Sequence, residues 1–271
     1  MAVLEVSRKL DRLHSLLAET GGVIVAFSGG ADSSLVAAAA VTSLGDRSLA
    51  ITAVSPSLPP GEADAARRVA SELGIRHRMV LTREMGNPAY VANGPDRCYH
   101  CKTELYDVLA RVAQETEFNV VVSGANVDDL GDVRPGLLAA AEHGVRHPLV
   151  EVGMTKQEVR DASMRLGITT WDKPASACLS SRIQHGMMVT VEELSKVGRA
   201  ERVLRDLGFA QCRVRVHGDL ARVEVELDDL PRLAQSDLRD LVVLRLRKLG
   251  YRYVTLDLEG FRSGSMNPPL G

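Results

Sequence analysis

Residues 23 to 34 read Val-Ile-Val-Ala-Phe-Ser-Gly-Gly-Ala-Asp-Ser-Ser, and this stretch decides the fold. An apolar run typical of a strand ends at Ser28, two glycines and Asp32 follow, and a helix-forming run extends from Leu35 to Ala40. A glycine pair lets the backbone turn tightly and approach a ligand without an intervening Cβ. The backbone N–H groups and the helix N-terminus behind such a turn form an anion site. The stretch therefore predicts a strand, a phosphate-binding loop and a helix.

The loop differs from the two best-known nucleotide loops. It lacks the lysine of a Walker-type loop and the spacing of GxGxxG, and it offers the hydroxyl groups of Ser28, Ser33 and Ser34. Asp32 is a carboxylate within an otherwise anion-binding segment. A carboxylate suits this place if it orients a donor or helps to hold Mg²⁺ that bridges phosphates. The alternative without a function is a Gly-Gly turn that caps a helix.

The loop resembles the SGGxDS pyrophosphate-binding loop (PP-loop) of the ATP pyrophosphatase superfamily, whose members split ATP between the α and β phosphates and leave AMP on a substrate oxygen. A second segment, SGANVDD at Ser123 to Asp129, resembles an SGxNxDD element beside the nucleotide in part of that superfamily. Asp128 or Asp129 is then a second carboxylate, and the alternative is an Asn/Asp turn with a helix cap. This resemblance implies ATP and Mg²⁺, with nucleotide contacts expected at Ala26, Ser28, Gly29, Gly30, Asp32, Ser33, Ser34, Val54, Gly124, Asn126 and Asp129.

Composition excludes several classes of protein. The 271 residues are 45% hydrophobic and 25% charged, which is ordinary for a globular protein. The formal net charge of −2 gives no polybasic signature, so we expect no nucleic-acid partner. We also expect no membrane segment and, since the first residues lack the apolar core of a signal peptide, a cytoplasmic location. Four cysteines in such a chain favour catalytic or metal-binding roles over disulfides.

Strands alternate with helices up to residue 175, which predicts an α/β fold with a doubly wound, mostly parallel sheet. Ligands of such sheets bind beyond the carboxyl ends of the strands, where Ser28, Ser55 and Ser123 fall. The segment from Gly131 to Pro148 is expected to be an ordered loop. The expected strands are Val23–Phe27, Ser48–Val54, Arg76–Leu81 and Asn119–Ser123, and the expected helices are 3–19, Ser33–Ser43, Gly61–Leu73, Lys102–Glu115 and Lys156–Leu166.

After Pro174 the pattern changes to α-β-β-α-β, which predicts a small C-terminal α+β domain. The expected division is 1–175 for the PP-loop domain and 176–271 for a domain that binds substrate or mediates oligomerisation. The expected elements are a helix at Glu192–Leu207, strands at Cys212–Val216 and Arg222–Leu227, a long helix at Leu230–Leu249 and a strand at Tyr251–Leu258.

Three cysteines carry a second chemistry. Cys98 and Cys101 have C-x-x-C spacing, and Cys178 lies in a distant segment. The pair alone could be a redox couple, half of a zinc site or two unrelated thiols. A zinc site needs four ligands, and His100 or Cys212 could complete one. Three thiolates with an open position suit an iron–sulfur cluster with one labile iron. Cys212 opens a strand and is expected to be a packed thiol.

Four motifs in chain order resemble the LarE family of ATP-dependent sulfur transferases. They are the loop at Ser28, the run RCYxCK at Arg97, the run PASACLxSRI from Pro174, and LEGFRSGSMN from Leu258. The resemblance implies adenylation of a carboxylate of pyridinium-3,5-biscarboxylic acid mononucleotide, followed by replacement with a thiocarboxylate, in the biosynthesis of the nickel-pincer nucleotide of lactate racemase. It also implies a homo-oligomer, specifically a hexamer.

Members of the LarE family are of two kinds. In one, a single cysteine, matched here by Cys178, gives up its own sulfur and becomes dehydroalanine. In the other, three cysteines hold a [4Fe–4S] cluster that carries an extra sulfide, so that the protein turns over with a sulfide donor. The set Cys98, Cys101 and Cys178 matches the second kind.

Cationic side chains are the remaining candidates. Lys102, Arg134 and Arg182 could neutralise phosphate or carboxylate, and Arg182 could also lower the pKa of Cys178. Arg213 and Arg215 share one face of a strand and suit the substrate phosphate by bidentate contact, with Glu201 as their expected partner. The alternative for these cations is a solvated surface position. The expected catalytic residues are Cys178, Asp32 and Arg182.

Two other functions compete with sulfur transfer to a pyridinium nucleotide. A PP-loop tRNA thiolase also uses cysteines, but the net charge of −2 and the short C-terminal region argue against it. A non-catalytic adenine-nucleotide-binding module would keep the phosphate loop and would have no need of three cysteines.

Overall fold

The structure is a computed structural model, and it describes residues 2–116, 118, 120–131, 135–174 and 176–262. Its helices are α1 (Ala2–Ala18), α2 (Ala31–Leu44), α3 (Glu62–Glu72), α4 (Pro88–Val91), α5 (Arg97–Thr116), α6 (Pro135–Glu142), α7 (Pro148–Glu151), α8 (Lys156–Arg165), α9 (Val191–Asp206), α10 (Leu230–Leu233) and α11 (Ser236–Lys248). Its strands are β1 (Val23–Ala26), β2 (Ser48–Val54), β3 (Arg76–Leu81), β4 (Val120–Ser123), β5 (Cys212–His217), β6 (Leu220–Val225) and β7 (Tyr253–Leu256).

A parallel sheet forms the centre of the first unit. Its strand order is β3-β2-β1-β4, and Val23 lies beside both Ser48 and Val120. All neighbouring strands run parallel, so their carboxyl ends meet at one edge. The predicted α/β fold is confirmed, and this edge is where the segments after Ala26, Val54 and Ser123 begin.

Helix α2 follows the phosphate loop and is buried along most of its length. Its run of alanines with Leu35 and Val36 is apolar on all sides, as expected for a helix in the core of a domain. Leu13 and Leu17 of α1 and Val159 of α8 belong to the same buried cluster. The first turn of α2 is therefore held firmly at the edge of the sheet.

The second unit is built on a three-stranded sheet with the order β5-β6-β7. Strands β5 and β6 are antiparallel, with Arg213 opposite Glu224 and Arg215 opposite Arg222, and β7 pairs parallel with β6. Side chains alternate along β5, so Val214 and Val216 lie on the face opposite the two arginines. The expected small α+β unit is confirmed.

Several expected boundaries were wrong. Helix α5 begins at Arg97, five residues before the expected start, because Asp96 supplies the N-terminal carbonyl to Tyr99 N at 2.8 Å. The expected loop at Gly131–Pro148 contains α6, whose Pro135 suits a first helical position. The expected long helix at Leu230–Leu249 is divided into α10 and α11, because the backbone is extended at Gln235 (ψ 140°).

The chain forms two compact units. One comprises residues 1–87 and 96–176, and the other comprises 88–95 and 177–271. The segment that carries α4 thus belongs to the second unit, although it precedes much of the first in sequence. None of the helices in the described ranges is long and apolar enough to cross a membrane.

Candidate active site

The phosphate loop depends on its two glycines. Gly29 has φ +67°, and a Cβ at this position would lie 2.9 Å from the Cα of Ala66, so a side chain is excluded by both conformation and space. Gly30 is the N-cap of α2 and provides no side-chain cap. The first N–H groups of the helix are therefore available to an anion at the edge of the sheet.

Hydroxyl groups shape the loop from within. Ser28 Oγ lies 3.1 Å from Ser33 Oγ and accepts a hydrogen bond from Gly30 N at 3.3 Å. Ser33 Oγ also donates to Gly30 O at 3.2 Å. Ser34 is fully buried, and its hydroxyl has no hydrogen-bond partner among the residues that the structure describes. The hydroxyls of Ser28 and Ser33 thus form hydrogen bonds within the loop, whereas the hydroxyl of Ser34 is buried.

The second predicted nucleotide segment lies against the first turn of α2. A Cβ on Gly124 would be 2.7 Å from Ser33 N, so only glycine allows this approach. Asn126 is 3% exposed, and its Nδ2 donates to Asp32 Oδ1 at 3.2 Å. The segment is closed by Asn126 N, which donates to Asp129 Oδ2 at 3.0 Å. The structure thus brings Asp32, Gly124, Asn126 and Asp129 together.

Carboxylates in this region have the chemistry that Mg²⁺ needs. Asp32 is one-quarter exposed, and Asn126 fixes one of its oxygens. Asp128 Oδ2 accepts a hydrogen bond from Lys156 N at 2.8 Å, and Asp129 accepts one from Asn126 N. Both carboxylates therefore hold the backbone of the segment after β4. A hard cation held by one or two carboxylates together with phosphate oxygens fits this donor set.

Two lysines reach the loop that sequence reasoning did not single out. Lys156 Nζ lies 2.5 Å from Asp32 Oδ2. Lys173 Nζ lies 2.9 Å from Glu62 Oε2 and 3.3 Å from Gly29 O. Both lysines are far from the loop in sequence, and neither belongs to a spacing pattern that would reveal the contact. Positive charge next to the phosphate loop therefore comes from other segments of the chain.

The remaining predicted nucleotide contacts lie at the same edge of the sheet. Ala26 and Val54 are the last residues of β1 and β2, and both are half-buried. His147 was not predicted; its Nδ1 lies 2.8 Å from Ser123 Oγ. Burial lowers the pKa of His147, against the opposing influence of Glu151 and Asp129.

The cysteines of the C-x-x-C motif lie on α5. Cys98 is exposed and Cys101 is half-buried, and residues three apart on a helix share a face, so the two thiols suit one shared ligand. Cys178 belongs to the second unit, directly before the short helical turn Leu179–Arg182. Within the described ranges, no group of three or more His, Cys, Asp or Glu side chains forms a metal-binding arrangement. The iron–sulfur cluster stays a prediction.

Cys212 is a packed thiol, as predicted. It is fully buried, and its Sγ donates to Glu201 O at 3.7 Å. Burial, followed by the charge of Glu201, raises the pKa of Cys212 to about 12. The thiol therefore stays protonated, which does not suit a metal ligand.

Arg182 lies in the core of the second unit and is 1% exposed. Its Nε donates to Glu201 Oε1 at 2.9 Å, and its Nη1 donates to the carbonyl oxygens of Ala177 and Cys178 at 2.6 and 2.8 Å. The alternative of a solvated surface cation was wrong for this residue. The guanidinium fixes the backbone at Cys178, and Glu201 also forms an ion pair with Arg205.

Arg213 and Arg215 are also buried, at 7% and 5% exposed. Arg215 Nε donates to Glu224 Oε2 at 3.0 Å, and the guanidinium of Arg213 lies 5.0 Å from the ring centroid of Phe261. Burial, and then the charge of Arg182, lowers the pKa of Arg213 to about 10. We call the set Arg182, Glu201, Arg213, Arg215 and Glu224 the buried charge cluster; its three arginines face two glutamates.

Lys102 and Arg134 are the other predicted cations. Lys102 lies on α5 with its ammonium 6.0 Å from the ring centroid of Tyr106. Arg134 and the second half of the final motif, Ser263 to Asn267, lie outside the described residues.

Comparison with known proteins shows the family of the chain. Residues 5–89, which include the phosphate loop, match the family model of NAD synthase. An uncharacterized protein of Synechocystis sp. is 48% identical over 97% of this chain and 98% of its own length. The pyridinium-3,5-bisthiocarboxylic acid mononucleotide synthase of Lactiplantibacillus plantarum is 39% identical over 98% of this chain and 96% of its own length. The chain belongs to the LarE family.

Membership of the LarE family confirms the resemblance that the four motifs indicated. An uncharacterized protein of Methanocaldococcus jannaschii is 27% identical over 94% of this chain. LarE-type proteins use a PP-loop, so ATP and Mg²⁺ are the groups implied for the loop between Ser28 and Ser34.

Proposed function

We propose that this chain is an ATP-dependent sulfur transferase that converts carboxylates of pyridinium-3,5-biscarboxylic acid mononucleotide into thiocarboxylates. Its product would enter the nickel-pincer nucleotide cofactor of lactate racemase. The observation that carries the proposal is the phosphate loop with Gly29, closely approached by Gly124 of the second segment, in a chain that matches a bisthiocarboxylic acid mononucleotide synthase along almost its whole length.

The activation step uses the first unit. A carboxylate oxygen of the substrate attacks the α phosphorus of ATP, the bond to the β-phosphate oxygen breaks, and pyrophosphate leaves. The residues needed are those that hold and neutralise phosphate while the oxygen is aligned. The uncapped N–H groups behind Gly30 and the hydroxyls of Ser28 and Ser33 supply donors, and Asp32 supplies a carboxylate for Mg²⁺.

Substrate binding is proposed for the buried charge cluster. Arg213 and Arg215 are buried on the same face of β5, and guanidinium groups suit bidentate hydrogen bonds to a phosphate. Burial, and then the charge of Arg182, lowers the pKa of Arg213 to about 10, and a bound phosphate would favour its charged form. The phosphate of a mononucleotide is the proposed occupant, with Arg213 and Arg215 as donors and Glu201 as the residue that orients them.

Sulfur delivery is proposed for Cys98, Cys101 and Cys178. Three thiolates suit a [4Fe–4S] cluster, which would supply an exchangeable sulfur from a sulfide donor. Each Cys→Ala variant should then lose both the visible absorption of the cluster and turnover beyond one sulfur per chain. In the sacrificial alternative, Cys178 alone gives up its sulfur. Conversion of Cys178 to dehydroalanine in iron-loaded protein, found by mass spectrometry, would overturn the cluster mechanism.

The activation step is tested by exchange of labelled pyrophosphate into ATP. Exchange should require the pyridinium nucleotide, and Asp32→Ala or Ser33→Ala should abolish it while circular dichroism stays unchanged. Exchange stimulated by tRNA would favour the thiolase. Substrate-independent ATP binding without exchange would favour a nucleotide-binding module.

Assembly and location complete the proposal. We infer a homo-oligomer, a hexamer, on the family resemblance alone. The proposed cytoplasmic location and the absence of a nucleic-acid partner rest instead on the sequence pattern and the net charge of −2. Sedimentation at micromolar concentration tests the assembly, and a monomer under these conditions would contradict it.

A further inference from the structure

The backbone after Cys178 connects the proposed sulfur donor with the proposed substrate anchor. We call residues 179–189 the cysteine turn. Arg182 Nη1 donates to Cys178 O at 2.8 Å, and Arg215 Nη1 donates to Ser181 O at 3.1 Å. The position of the Cys178 thiol relative to the arginines of the buried charge cluster therefore depends on the conformation of this turn.

A segment that is distant in sequence holds the cysteine turn. Residues 88–95, which we call the clamp segment, belong to the second unit although the chain on both sides of them belongs to the first. Tyr90 Oη lies 2.5 Å from Ser180 Oγ, and both side chains are buried. Val189 N donates to Val91 O at 2.9 Å. The clamp segment is thus hydrogen-bonded to both ends of the cysteine turn.

Asn93 forms the largest number of these hydrogen bonds. It is fully buried and has φ +57°, a left-handed conformation that asparagine adopts more readily than most residues. Its Nδ2 donates to Gln184 O and Met187 O, both at 2.9 Å, and lies 3.4 Å from Ile183 O. Its carbonyl oxygen accepts from Gly186 N at 3.1 Å. One side chain and its own backbone therefore satisfy the polar groups of the middle of the turn.

We propose that Tyr90 and Asn93 are positioning residues for sulfur delivery, which hold the Cys178 thiol in a fixed place relative to the arginines of the substrate phosphate. A misplacement of about 1 Å can cost about a hundredfold in the rate of a transfer step. The phosphate loop that activates the carboxylate belongs to the first unit and includes no residue of the clamp segment. The inference rests on the proposed function and concerns its second step alone.

Separate measurements of activation and sulfur transfer test this role. Asn93→Gly keeps the left-handed backbone conformation and removes the side-chain hydrogen bonds, and Tyr90→Phe removes the hydroxyl beside Ser180. Both variants should exchange labelled pyrophosphate into ATP within about twofold of wild type. Both should transfer sulfur in a single turnover at least about tenfold more slowly. Adding Ser180→Ala to Tyr90→Phe should slow the transfer no further, because the two hydroxyls form one hydrogen bond.

Hydrogen exchange of backbone amides gives a readout that does not depend on activity. In Asn93→Gly, the amides of Gly186 and Val189 should exchange about tenfold faster or more, because the turn loses buried hydrogen bonds, while the amides of α2 keep their wild-type rates. Tyr251 provides a matched control in the same unit. It is 2% exposed, and its hydroxyl has no hydrogen-bond partner within the described ranges, so Tyr251→Phe should leave both steps within about twofold.

Three results would count against the inference. Sulfur transfer at the wild-type rate in both clamp variants would overturn it. An equal loss of pyrophosphate exchange and sulfur transfer, with faster hydrogen exchange in both units, would mark Tyr90 and Asn93 as structural residues only. Absence of sulfur transfer by the wild-type chain would contradict the proposed function itself, and the inference would fail with it.

Discussion

Arg182 holds the backbone next to Cys178 in the second unit. Arg182 distributes its donors between Glu201 and the carbonyl oxygens of Ala177 and Cys178. From the sequence, a surface position and a role near the thiol were both possible for this cation. The structure excludes the surface position, because the Arg182 guanidinium is 1% exposed. Paired with Glu201, it hydrogen-bonds the backbone carbonyls beside the thiol and so holds that backbone in place.

Glu201→Gln should destabilise the protein strongly. The variant leaves buried arginines without their counter-charge, and removing one partner of a buried pair typically costs about 3 to 5 kcal/mol. Urea unfolding should show a loss of that size. The exposed pair of Arg239 and Asp240 gives the control, since Asp240→Asn should change the free energy of unfolding by less than about 0.5 kcal/mol. Equal effects in the two variants would contradict the description of the cluster.

His147 should make stability fall in mild acid. Its pKa is lowered in the folded chain, with burial as the main cause, so the unfolded chain takes up a proton first as the pH falls. The contribution of neutral His147 to the free energy of unfolding is therefore fully present above about pH 6.5. It is lost as the pH falls through that value and then through the lower pKa of the folded chain. Between about pH 8 and pH 5.5, wild type should lose more unfolding free energy than His147→Gln. A larger loss in the variant would contradict a lowered pKa of His147 in the folded chain.

At the scale of elements, the site is made by the close approach of two backbones. The first turn of α2 and the segment after β4 touch at Gly124, where a Cβ would be 2.7 Å from Ser33 N. The parallel register of β1 and β4, with Ala26 beside Ser123, brings the two segments to the same edge. The hydrogen bond between Asn126 and Asp32 depends on this approach.

Gly124→Ala should separate the two segments and weaken ATP binding. The added methyl group meets backbone atoms, which cannot turn away as a side chain can, so we expect ATP affinity to fall by about tenfold or more. Gly86 has nothing within 4 Å of an added Cβ, and Gly86→Ala should bind ATP like wild type. Titration of both variants with Mg²⁺ and ATP makes the comparison; undiminished affinity in Gly124→Ala would show that the approach is not needed.

At the scale of the whole molecule, local patterns predicted the fold and long-range contacts escaped prediction. Strands β2 and β3 have their predicted bounds, because the apolar run of β2 and the helix-ending Gly74 before β3 are signals carried by neighbouring residues alone. The contact of Lys156 with Asp32 joins residues 124 positions apart, and no spacing rule reports it. Arg182 was identified as important, yet its burial depends on Glu201 in a helix that the sequence leaves unplaced in space.

We propose that the chain activates a carboxylate by transferring AMP to it. The most direct test uses pyridinium-3,5-biscarboxylic acid mononucleotide with heavy oxygen in its carboxylates, supplied with ATP, Mg²⁺ and a sulfur source. Attack of the carboxylate on the α phosphorus, followed by loss of AMP to sulfur, leaves one substrate oxygen on AMP. Mass spectrometry should therefore find heavy oxygen in AMP. AMP without the label, or label in inorganic phosphate, would contradict the account.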